Sequence, residues 1–221
     1  GLSIVQALIA LTFYKSVPYE LVMRVFQGDF IKRLEQEIQM AYKLDTYPQR
    51  VMTLVMQLNR AVCLDCPEYN IRWFQQNFIE AQMSKRPVMK NKFHEEIRQM
   101  LLKIVPNREY VATNQVTPYG YLIDFEINVD NFNKFHKPNS QLYENVSFKP
   151  KVSKIAILLL GFDTFCYNDI NRLRGNELMR MRHLEMMNYK VVHVKKSDFN
   201  ILYENITAKI KHMKELLQLS G

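Results

Sequence analysis

Six consecutive apolar residues, Ile155 to Leu160, end at Gly161, and a second run, Tyr189-Lys190-Val191-Val192, follows about thirty residues later. Between them lie Phe162-Asp163-Thr164-Phe165, Arg174-Gly175 and Arg182-His183-Leu184. A short apolar run closed by glycine reads as a buried strand. The segment from about Asn176 to Met187 reads as a basic helix, and Lys190 to Val194 as the next strand. Strand, turn, helix, strand restricts this third of the chain to a sheet with helices packed against it.

At 221 residues and 48% hydrophobic composition, the chain can hold one large or two small domains with substantial cores. Thirty Lys and Arg against 22 Asp and Glu give a formal charge of +8, which favours a polyanionic partner such as nucleic acid. From Lys149 onward, thirteen basic residues face seven acidic ones, so most of the excess lies in the strand-helix-strand third. No apolar run reaches the roughly 18 to 20 residues of a bilayer span, and no transmembrane segment is expected. A chain opening on Gly1 is expected to be part of a longer one, with any targeting segment upstream.

Cys63 and Cys66 form a C-x-x-C with no second pair, short of the four ligands of a structural zinc site, and read as small packing residues at a helix end. Asn145-Val146-Ser147 and Asn205-Ile206-Thr207 match a glycosylation pattern that matters only in a secreted protein. No Gly-rich phosphate loop, His-Arg-Asp or Asp-Phe-Gly is present, which argues against phosphoryl transfer from ATP.

The chain to about residue 85 is helical in pattern. Ile4, Val5, Leu8, Ile9 and Leu11 repeat at near-helical spacing, and Val17-Pro18 marks a break. Pro18-Tyr19-Glu20 starts a short helix through Phe26. Gly28-Asp29 offers a stop and an N-cap for a helix carrying Phe30, Ile31, Leu34, Ile38 and Tyr42. Pro48 suits the first turn of a helix bearing Val51, Leu54, Val55, Leu58 and Val62. Ser84-Lys85-Arg86-Pro87 reads as a linker, which divides the chain into a helical region, 1–85, and an α/β region, 86–221. Beyond it the expected order is a helix through Ile104, a short strand from Tyr110 to Val116, a longer strand from Tyr121 to Asp130, a polar connection from Asn131 to Lys151, and then the third described above with a terminal helix through Leu217.

Two stretches carry a family resemblance. Leu58-Asn59-Arg60-Ala61-Val62-Cys63-Leu64-Asp65-Cys66-Pro67-Glu68-Tyr69, with Ile71-Arg72-Trp73-Phe74, resembles the segment that precedes the RAP domain in the Fas-activated serine/threonine kinase family of mitochondrial proteins. The strand-turn-helix-strand order after Ile155, preceded by Ile123-Asp124-Phe125-Glu126-Ile127, resembles the RAP domain itself, here about residues 153–213. The resemblance implies an α and α/β protein: an N-terminal helical, repeat-like region followed by a mixed sheet similar to PD-(D/E)xK nucleases. It also implies RNA binding in the mitochondrial matrix, in the processing, stability or translation of transcripts.

Residues two apart on a strand face the same way, so Asp124, Glu126, Asn128 and Asp130 are expected on one face, with Ile123, Phe125, Ile127 and Val129 on the other. In the nucleases that this order is similar to, one acid on such a strand and acidic residues on the next bind Mg²⁺. In the family pattern acids often stand at the third and fifth places of the run Ala156-Ile157-Leu158-Leu159-Leu160; both places are leucine here. Asp124 and Glu126 are therefore the catalytic candidates only if the chain still cuts. A solvated strand face, or pairing with nearby Arg and Lys, is the other reading of the two acids. The expected function is RNA binding on a degenerate nuclease scaffold with no resident cofactor. The alternatives are a Mg²⁺-dependent endoribonuclease and a helical adaptor for other RNA-processing proteins.

Loss of cutting leaves the phosphate contacts that dominate RNA affinity. The candidates for them are Lys154, Arg172, Arg174, Arg180, Arg182, His183, Lys195 and Lys196. Phe162, Phe165 and Tyr167 stand just before the basic helix, where rings can stack on bases of single-stranded RNA. Of these, Phe165 is the one expected in the core.

Overall fold

The computed structural model describes residues 1–27, 29–41, 46–84, 91–138, 152–202 and 205–218. Gly28, the linker positions Lys85 to Pro87, the part of the polar connection from Asn139 to Lys151 and the Asn145 motif lie outside the described residues. The chain forms two compact units, Gly1–Arg86 with Pro118–Gly120, and Pro87–Thr117 with Tyr121–Gly221. Among the described residues, no helix is long and apolar enough to cross a membrane.

The first unit is helical: α1 (Leu2–Phe13), α2 (Tyr19–Phe26), α3 (Phe30–Ala41), α4 (Thr46–Asp65) and α5 (Gln76–Ser84). Pro18 caps α2, whose first turn holds Glu20 and last turn Arg24, the charge order that suits the helix dipole. Val51, Val55, Leu58 and Val62 line one stripe of α4 and meet Val5 and Leu8 of α1, Val22 and Val25 of α2, and Leu34 and Ile38 of α3. Spacings of three and four residues put these side chains on single faces.

The polar residues beside that stripe act as latches. Asn59 Nδ2 donates to the Arg72 carbonyl at 3.1 Å, and Arg60 Nη1 to the carbonyls of Tyr119 and Gly120 at 3.2 and 3.0 Å. Trp73 Nε1 donates to the Pro118 carbonyl at 3.0 Å. Cys63 Sγ donates to the Ile71 carbonyl at 3.3 Å, and Tyr69 Oη to that of Val17 at 2.7 Å. Gly120 is needed at its position because its φ is +70°. Burial pushes the Cys63 thiol up to about 11, far from the thiolate that redox or metal chemistry uses.

The second unit is a mixed sheet with helices. α6 (Lys92–Ile104) leads to β1 (Ala112–Val116), β2 (Leu122–Asp130), β3 (Phe135–His136) and β4 (Val152–Leu160). A hairpin of β5 (Phe165–Cys166) and β6 (Asp169–Leu173) then precedes α7 (Gly175–Met186), β7 (Tyr189–Lys195), α8 (Lys196–Ile201) and α9 (Ile206–Leu217). The sheet runs β1-β2-β4-β7 with β3 also on β2; β4 and β7 pair in parallel and the other pairs of this sheet are antiparallel among the described residues. Helices followed by a mixed α/β sheet is the class read from the sequence. Asn188, at φ 63°, ends α7 in the left-handed conformation that asparagine tolerates.

Phe125, Ile127, Ile155, Ile157, Val192 and Val194 form one sheet face, covered by α6, α8 and α9 through residues such as Ile97, Leu101, Phe199 and Met213. The opposite face carries Glu126 beside Ala156, and α7 packs on its β7 side. Glu126, Asn128 and Asp130 on that face are all buried, so it is not the solvated strand face of one sequence reading. Three short strands were not evident in the sequence, and the expected terminal helix is two, α8 and α9. Asn205 of the second glycosylation match caps α9, its Oδ1 accepting from the Ala208 amide at 2.9 Å.

Candidate nucleic-acid interface

The acids of β2 are held by the fold. Asp124 Oδ2 accepts a hydrogen bond from the Leu159 amide at 3.0 Å and lies 3.7 Å from Arg180 Nη2. Arg180 also donates to the Leu122 carbonyl and reaches Glu177 Oε2 at 3.3 Å. Extending the antiparallel register one residue past Phe125 and Ile157 puts Leu158 across from Asp124. Leu158 and Leu160 are 0% and 2% exposed, core residues rather than ligand positions. Glu126 receives a hydrogen bond from Tyr189 Oη at 3.4 Å. Burial raises its carboxyl above the ordinary range, with Lys154 opposing, and burial beside Glu126 pushes the Tyr189 phenol up to about 12.

This set does not fit Mg²⁺, which demands a near-octahedral shell of oxygens. One carboxylate is paired with a guanidinium, burial favours the neutral form of the other, and leucines fill the neighbouring strand. Among the described residues, no three His, Cys, Asp or Glu side chains gather as a metal group. The next acid, Asp130, is committed elsewhere: it is held low by His136, 2.9 Å from its Oδ2, and by the amides of Lys134 and Phe132.

The structure withdraws two of the basic candidates from solvent. His183 is fully buried, its Nδ1 2.6 Å from Tyr121 Oη, so no phosphate reaches it. Arg180 is mostly buried and bound to Asp124, Leu122 and Glu177. Both fall on the inner side of α7, which the sequence treated as one basic helix. Arg182 is half-buried, and Lys154 is exposed at the amino end of β4, paired in register with Tyr189.

Arg172, Arg174, Lys195 and Lys196 come together at the opposite end, where the parallel strands β4 and β7 finish. Leu160 pairs with Lys195, Lys195 Nζ sits 5.8 Å from the centre of the Phe165 ring, and Arg174 Nε donates to the Phe165 carbonyl at 2.9 Å. Arg172, Arg174 and Lys196 are exposed and Lys195 half-buried. The crevice outside the carboxyl ends of parallel strands is where open α/β sheets bind ligands. Phe165 is buried, as expected, whereas Phe162 and Tyr167 are exposed. His193, one strand position away from Val194, is held below the ordinary histidine value: burial lowers it, Arg180 and Lys195 add to the effect, and Glu185 opposes it.

Two families match this chain. FAST kinase-like protein, subdomain 2, matches residues 52–137, and the RAP domain matches residues 157–216. The first takes in the Asn59-to-Trp73 latches and the carboxylate strand, the second the parallel strands and their basic edge. The chain belongs to the FAST kinase domain-containing family. It is 30% identical over 201 residues to the mouse (Mus musculus) FAST kinase domain-containing protein 1, mitochondrial, over 83% of this chain and 23% of that protein. To the human (Homo sapiens) protein of that name it is 27% identical over 202 residues, with the same coverage. The human FAST kinase domain-containing protein 3, mitochondrial, is 27% identical over 190 residues, covering 84% of this chain and 27% of that protein. The chain thus spans about a quarter of the length of these curated relatives. Within this family member, Asp124 belongs to the FAST match, while every basic candidate except Lys154 belongs to the RAP match.

Proposed function

We propose that this chain binds RNA through the carboxyl edge of its RAP sheet and holds transcripts without cutting them. Its role is post-transcriptional, in the processing, stability or translation of mitochondrial RNA, in the matrix. The observation that carries this is that Arg174 and Lys195 both meet Phe165 at the end of β4 and β7, with exposed Arg172 and Lys196 one or two residues along the chain from them. Cations clustered at one edge can neutralise successive phosphates, and that term dominates non-specific affinity. The mitochondrial names of the relatives support the compartment. The Asp124–Arg180 pair supports holding over cutting, because the guanidinium already neutralises the acid that would bind a metal.

The test is an RNA titration of the purified chain at two salt concentrations. Steep weakening with salt, reduced in an Arg172→Ala/Lys196→Ala variant, supports the reading. Absence of RNA binding at low salt refutes it.

A further inference from the structure

We propose that the β5–β6 hairpin is a stacking platform for unpaired bases, which makes the ligand of this edge single-stranded rather than duplex RNA; the inference rests on the RNA-binding reading above. Three large apolar side chains stand in solvent within nine residues: Phe162 at 70% exposure, Tyr167 at 101% and Ile170 at 74%. Phe165, from the same segment, is buried and fastens the hairpin to the fold. Phe162, Tyr167 and Ile170 instead stand mostly in solvent. Neighbouring apolar groups left in water mark an interaction site.

The chemistry around them selects the partner. β6 carries Arg172, Arg174 follows it, and Lys195 already lies over the Phe165 ring. Rings beside guanidinium and ammonium groups match bases beside phosphates. The acids in the segment are Asp163 and Asp169, and Asp169 Oδ1 is occupied in the turn by the Asn171 amide at 2.9 Å. The base of the hairpin is fixed from both sides, since the Arg174 amide donates to the Thr164 carbonyl at 3.0 Å and its Nε to that of Phe165 at 2.9 Å. The rings are therefore presented by an anchored element. In a duplex the base faces are covered by their neighbours, whereas an unpaired strand offers them to aromatic side chains.

A short single-stranded RNA containing 2-aminopurine, whose fluorescence falls on stacking, tests the proposal against a duplex of the same length. The expected result is quenching on binding, tighter binding of the single strand, and a loss of about fivefold or more in affinity for each ring removed in Phe162→Ala and Tyr167→Ala. The salt slope should stay unchanged, because rings contact no phosphates, and Tyr167→Trp should restore affinity and quenching. Wild-type affinity and quenching in the double alanine variant, or equal binding of the duplex, would overturn the platform while leaving RNA binding intact and assigning the apolar patch to a protein partner. Failure of the wild-type chain to bind any RNA would instead remove the underlying reading and this one with it.

Discussion

The guanidinium of Arg180 lies 3.7 Å from the carboxylate of Asp124, joining α7 to β2 at the acid that the sequence offers as a metal ligand. The same arginine donates to the Leu122 carbonyl, and Leu159 donates its amide to Asp124. A fixed positive charge thus stands where a catalytic site would need a mobile divalent one.

Arg180→Ala is expected to destabilise the chain by about 1–3 kcal/mol, because it leaves a mostly buried carboxylate without its cation and the Leu122 carbonyl without this donor. The midpoint of urea unfolding reads this. Asp124→Asn should cost less, since the amide still accepts from Leu159. Equal stability of Arg180→Ala and wild type would show that the pair does not hold the face together.

Leu158→Asp restores an acid at a place where the family pattern often has one, yet it is expected to destabilise by about 3 kcal/mol or more and to confer no cleavage. Leu158 is fully buried, and an unpaired charge there is strongly disfavoured. A folded, stable Leu158→Asp variant that cuts RNA in Mg²⁺ would contradict the assignment of this position to the core.

Tyr121→Phe removes the hydroxyl 2.6 Å from His183 Nδ1 and should cost about 1–2 kcal/mol, read in the same unfolding experiment. RNA affinity should not change, since His183 is inside the fold. A selective loss of affinity at unchanged stability would return His183 to the interface.

Two groups set opposite pH limits on stability. Burial raises Glu126, so the folded state keeps its proton longer than the unfolded chain, and stability is lost as pH rises from the ordinary glutamate value through the raised one. Burial lowers His193, so the unfolded chain takes up a proton first, and stability is lost as pH falls from the ordinary histidine value through the lowered one. Glu126→Gln should therefore gain on wild type as pH rises above the glutamate range, and His193→Gln should gain as pH falls below the histidine range. Parallel pH profiles in thermal unfolding would refute either shift.

The sequence made the long elements legible because their periodicity is strong: the Val51-to-Val62 stripe, the alternation from Ile123 to Val129, and the Ile155-to-Leu160 run all fold as their spacing requires. It did not reveal the β5–β6 hairpin, whose two-residue first strand and mostly exposed second strand carry no core alternation. It also could not separate the two sides of α7. Arg180, His183 and Arg182 look alike as a basic cluster, and only the placement of Leu122, Asp124 and Tyr121 turns the first two inward. The Asn59-to-Trp73 wording, legible as a family signature, proves to be a set of side-chain bonds to carbonyls, which is why it reads as specific without being a reactive site.

The most direct measurement incubates the purified chain with labelled mitochondrial RNA in Mg²⁺ or in EDTA and follows both binding and strand integrity. Salt-sensitive binding with intact RNA is expected in both conditions. Mg²⁺-dependent cleavage that disappears in a folded Asp124→Asn variant would contradict it and make the carboxylate strand the active centre.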